Sequence, residues 1–161
     1  MTAGDGDRAS YHYVLRTLDS LLQVVYELEG LTKLEDLVPR EILWDRPPGL
    51  LSGAELLWLV HLIDRHVFGP AVSDVESSEI RLERPDYARL LAAYPCTAES
   101  LEQLVADITA SRRALVATLD SAMSVPERSA QTSTMIDTIA AHDRQVLSAF
   151  TERLYESGLG A

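Results

Sequence analysis

TSTMIDTIAAHDRQVLSAFTERLYES, residues 132–157, reads as one long amphipathic helix. Met135, Ile139, Val146 and Ala149 recur at helical steps and share a face. His142 falls on that same face, three residues after Ile139 and four before Val146. A histidine on the inward face of a helix needs a partner, because a buried imidazole without one is costly. The partner that the pattern offers is His61, on the other strongly apolar helix.

Three further helices are expected. The first runs from about Ser10 to Glu29, with Val14, Leu18, Leu21, Val25 and Leu28 as its stripe and Gly30 as its stop. Residues 1–9 are expected to be a disordered or frayed tail, and residues 10–158 a single domain. Asp19, Gln23 and Tyr26 lie along one edge of the stripe; they either reach into a site or, as expected, mark the solvent boundary. A short segment, Thr32 to Leu43, is interrupted by Pro39, and the prolines and glycine of WDRPPGLLSG force a loop.

Ser52 opens the second long helix. Ser52 and Glu55 have the spacing of a capping box. The helix reads AELLWLVHLIDRHVF and is expected to stop before Gly69-Pro70. It is apolar nearly all round from Leu56 to Ile63, so it should be the most buried. His61 sits in that run, with Leu57, Trp58, Asp64 and Phe68 as same-face neighbours. Ala71 to Glu83 is polar and reads as a crossover loop; Pro85 to Tyr94 reads as a short helix. Thr97 is the expected cap of the third long helix, whose stripe is Leu101, Leu104, Val105, Ile108, Leu115 and Leu119. Arg112 interrupts that stripe. Its guanidinium either passes the core edge to solvent, the favoured placement, or pairs with Asp19 or Asp143 inside. Val125 to Ala130 links to the final helix. The expected fold class is all-α, a four-helix bundle with a crossover connection.

Composition narrows the function. The 161 residues hold 14 basic and 25 acidic side chains, a formal net charge of −11. Nucleic acid and anionic membrane surfaces need clustered Lys and Arg, so neither is an expected partner. The longest apolar run, Leu56 to Val60, is far short of a membrane span. The single cysteine, Cys96, allows no intrachain disulfide and reads as an ordinary half-buried thiol; a cytoplasmic location is expected. No phosphate-binding loop, H-E-x-x-H or G-x-S-x-G is present. No histidine has a glutamate three residues earlier, which removes the di-iron bundle pattern.

Two stretches carry a family resemblance. ILWDRPPGLLSGAELLWLVHLIDRHVFGPAV, residues 42–72, resembles the second-helix region of the DinB-like four-helix bundles, with a Trp-x-x-Pro loop, a Ser cap, a first-turn Glu and a helical His followed by Leu. TMIDTIAAHDRQVLSAFTERL, residues 134–154, resembles their final helix, where a His-Asp pair follows an apolar run. The resemblance implies a crossover bundle, often homodimeric, holding zinc or nickel on three histidines. It also implies thiol-dependent transferase or isomerase chemistry with a low-molecular-weight thiol, although many members have no known activity. The first two ligand positions match His61 and His142. The third matches Val146, which coordinates nothing. Asp64, three residues from His61, is the replacement that the sequence offers; Gln145 and Asp143 are weaker candidates. Trp58, Arg112 and Val146 are expected to line the ligand pocket.

Two functional expectations follow. One is a metal- and thiol-dependent enzyme with an incomplete histidine site at His61, His142 and Asp64. The other is a noncatalytic, metal-free bundle that binds a small ligand in the same cavity or acts through its dimer surface. A plain helical scaffold with two unrelated core histidines is the third and blandest reading.

Overall fold

A computed structural model describes residues 3–33, 35–73 and 86–156, with side chains from Leu18 onward. Most of the described residues are helical, and none of them is in a strand. The elements are α1 (Ala3–Thr32), α2 (Arg40–Trp44), α3 (Gly53–Ile63), α4 (Gly69–Ser73), α5 (Tyr87–Ala93), α6 (Leu101–Met123) and α7 (Ser129–Glu156). A π-helical turn, Asp64–Phe68, joins α3 to α4 without a break. α1 packs on α6 and α7, α3 packs on α6 and α7, and α6 meets α7. No helix among the described residues is long and apolar enough to cross a membrane.

The boundaries differ from the sequence expectation where tertiary contacts outweigh local signals. α1 starts seven residues before Ser10 and runs past Gly30 to Thr32. A helical glycine costs only about 1 kcal/mol against alanine. Leu31 packs against the core and Thr32 Oγ1 donates to the Glu29 carbonyl, which offsets that cost. Asp19, Gln23 and Tyr26 are exposed and mark the solvent edge. The cap of α6 is Ser100, not Thr97: Ser100 Oγ accepts from Gln103 N at 3.1 Å. Glu35 Oε1, from the turn before α2, accepts from Leu101 N at 2.9 Å and adds a second cap. The capping box at α3 forms as its spacing predicts, with Ser52 Oγ on Glu55 N and Glu55 Oε1 on Ser52 N, both at 3.0 Å.

The second long helix does not stop before Gly69-Pro70. Proline has no N–H and clashes with the carbonyl four residues back. The π turn removes the conflict: Gly69 N–H bonds the Asp64 carbonyl, five residues away, and the helix continues to Ser73. A Cβ on Gly69 would stand 2.9 Å from that same carbonyl, so glycine is what this turn accommodates. The expected crossover loop, Ala71 to Glu83, is helical over its first three residues because α4 runs to Ser73; the rest of it and Pro85, the expected start of the short helix, lie outside the described residues. Asp86 caps α5, its carboxylate accepting from Arg89 N.

The core has two apolar parts. One gathers Leu57, Trp58, Leu104, Ile108, Val146 and Phe150; the other gathers Leu21, Ile63, Phe68, Leu115, Met135 and Ile139. Along α6 the change of cluster falls between Ile108 and Leu115, and along α7 between Ile139 and Val146. Arg112 and Asp143 occupy those intervals. The boundary between the two parts is therefore a layer of charge.

Candidate functional site

Arg112 is the largest fully buried side chain among the described residues, with no solvent exposure. The solvent-facing placement favoured by its sequence position is corrected here: the guanidinium stays inside because every donor finds an acceptor. Nε donates to Asp64 Oδ2 at 2.7 Å and Nη2 to Asp64 Oδ1 at 3.2 Å. Nη1 and Nη2 donate to the two Asp143 oxygens at 2.6 and 2.7 Å. Nη1 also donates to the Leu21 carbonyl at 3.0 Å. A guanidinium has five N–H donors, and the geometry employs all of them. One side chain on α6 thus ties α1, the π turn and α7 together. Of the two internal partners offered by the sequence, Asp143 is used and Asp19 is not.

Two carboxylates share one cation in this layer. The Asp64 carboxyl is raised to about 6: burial pushes it up, the Arg112 charge and hydrogen bonds oppose that, and the Asp143 charge adds to the rise. Arg112 stays charged, held by Asp143 and Asp64 against its own burial.

His61 and His142 turn to different partners. His61 Nδ1 lies 3.0 Å from Ser111 Oγ, on α6. Ser111 Oγ also lies 3.1 Å from the Ile108 carbonyl, so its hydroxyl can donate there while accepting from a His61 Nδ1–H. The Trp58 ring lies 4.4 Å from the His61 ring, and Trp58 Nε1 donates to the Tyr94 carbonyl. His142 Nε2 lies 3.0 Å from the Tyr87 hydroxyl, and the Phe68 ring meets it edge-on at 5.9 Å. Burial lowers both imidazole pKa values; the Asp107 charge opposes this at His61, and the Asp143 charge at His142. Both rings are thus held neutral at neutral pH. His66, half-buried, stacks on Tyr94 at 3.9 Å.

Two clefts open beside His61. The first, of 570 Å³, lies between the π turn with α4 on one side and α6 on the other; Pro70, Ala110, Ala114 and Leu115 wall it and Ser111 faces it. The second, of 520 Å³, is walled by Trp58, His66, Tyr94 and Pro95. His61, Arg65 and Asp107 line both. His142 lines neither, so the expected shared cavity of His61 and His142 does not form from these two clefts. Of the expected pocket residues, Trp58 lines the second cleft. Arg112 and Val146 line neither: Arg112 is sealed in the charged layer, and Val146 packs in the core with Leu57 and Phe150.

The residues matched to the metal site do not fit a divalent cation as placed. Both oxygens of Asp64 accept from Arg112, which would set a metal against a guanidinium. A working site needs three or more ligands converging on one point. Among the described residues no group of three or more His, Cys, Asp or Glu side chains is arranged to hold a metal ion. The Cys96 thiol, half-buried, has its pKa raised by burial and is a poor nucleophile.

Sequence reasoning missed Ser111, Tyr87, Asp107 and Arg65. The first and third had a usable signal: Asp107, Ser111 and Thr118 follow α6 at helical steps along one polar strip. Nothing local marks Tyr87 as the partner of His142. No family model, curated protein or solved structure matches the chain.

Proposed function

We propose that this chain is a DinB-like four-helix bundle, with a crossover connection between α4 and α5, that works without a metal and binds a small molecule in the cleft beside His61. One observation carries this reading. Both oxygens of Asp64, the residue offered as third ligand, already accept from Arg112, while Ser111 and Tyr87 each engage one ring nitrogen of His61 and His142. The remaining position, Val146, is core. Arg112 supplies at the centre of the fold the positive charge that a bound cation would otherwise bring. The cleft is left open, and its 570 Å³ lies within the size range of small-molecule sites. Its make-up also suits the role, since apolar walls from Pro70, Ala114 and Leu115 surround a few polar groups.

The test is a small-molecule screen read by amide and imidazole NMR shifts, run once with chelator and once, without it, with added zinc or nickel. Binders should move Ser111 and His61 signals. Ala114→Phe, a change at an exposed position on the cleft wall, should remove that binding and leave the melting temperature unchanged. Binding that requires added zinc or nickel would contradict the reading and restore the metal- and thiol-dependent transferase.

A further inference from the structure

Arg65 and Asp107 are the two charged side chains common to both clefts. They come from opposite walls, Arg65 from the π turn and Asp107 from α6. The ion pairs among the described residues are Arg46–Glu55, Arg112–Asp64 and Arg112–Asp143, so Arg65 and Asp107 do not pair with each other or with another described residue. The other charged residue at the cleft, Asp64, already faces Arg112. One positive and one negative group, with no ion-pair partner among the described residues, therefore line the same space from two elements.

A simple anion drawn to Arg65 would meet Asp107, and a simple cation drawn to Asp107 would meet Arg65. Like-charge contacts of this kind weaken binding. A molecule with both charges avoids either penalty. The same cleft is also lined by the small side chains Ala110 and Ala114, with Pro70 and Leu115, which suit an aliphatic body. The Ser111 hydroxyl stands beside them.

We infer that the His61 cleft takes a small zwitterion of the amino-acid class, its carboxylate on Arg65 and its ammonium on Asp107. This rests on the reading of the cleft as a ligand site. Charge-assisted hydrogen bonds at both ends fix the orientation, and the apolar wall selects an aliphatic side chain.

The experiment titrates the intact chain with L-leucine, β-alanine and 4-aminobutyrate, which differ in the separation of their charges. 4-Methylpentanoate and 3-methylbutylamine, each with one charge, are the comparison. The Ser111 amide and His61 imidazole signals report binding. At least one zwitterion should bind about tenfold or more tightly than either singly charged probe. Arg65→Gln should remove that advantage, and so should Asp107→Asn; neither residue is in the core, so both variants should fold. Zwitterions that bind no tighter than the singly charged probes overturn the inference while leaving the cleft as a ligand site. An advantage that survives both substitutions overturns it in the same way. If no probe in this set and no molecule in the wider screen moves Ser111, the inference and the ligand site fall together.

Discussion

Arg112 has acceptors for all five of its donors, and that fact governs what happens when it is changed. The Coulomb attraction in such a layer is offset by the desolvation of three charges, so its net contribution to stability is small. Breaking it is different. Arg112→Met would leave Asp64 and Asp143 facing each other without a cation and the Leu21 carbonyl without its donor. Removing one partner of a buried pair costs about 3–5 kcal/mol. The expected result in urea denaturation is a loss of that size. A loss below about 1 kcal/mol would mean that the layer admits water and is not the sealed network described here.

The α3–α4 junction shows how a local rule is overridden within one element. Pro70 would end an ordinary helix, and the sequence reading stopped there. The wider turn from Asp64 to Phe68 carries the chain past it and in doing so places Asp64 against Arg112 and Arg65 beside the cleft. π turns are rare and concentrate at functional positions. Gly69 is the residue that permits the turn, because a Cβ there would press on the Asp64 carbonyl at 2.9 Å. Gly69→Ala should therefore destabilise the protein by about 1–3 kcal/mol, the usual range for forced overpacking. It should also shift the NMR signals of Arg65 and Asp64 more than those of Leu57. An unchanged melting temperature with alanine at this position would show that the turn does not depend on glycine.

At the scale of the whole molecule, the helical class was legible because apolar stripes of period 3.6 cannot be read as strands. The stripe of α6 is buried at every expected position from Leu101 to Leu119. The capping box at Ser52 was legible because it is a local pattern. The site was less so. Asp64 was singled out for its spacing from His61, but sequence spacing within one helix says nothing of a guanidinium arriving from α6. Arg112 was read by the usual behaviour of long cations at a core edge, and two carboxylates from distant segments changed the outcome. Likewise Ser111 and Tyr87 claim the histidines across sequence separations of 50 and 55 residues.

Under the proposed reading, Arg112 completes the charged centre of this fold in place of a metal ion. The direct measurement is the melting temperature and metal content of untagged protein, after chelation and after incubation with zinc or nickel. A ligand that binds only the folded state raises the melting temperature by mass action. The account predicts the same melting temperature in all three conditions and no stoichiometric metal. About one metal per chain, with a rise in melting temperature that His61→Ala and His142→Ala both abolish, would contradict it.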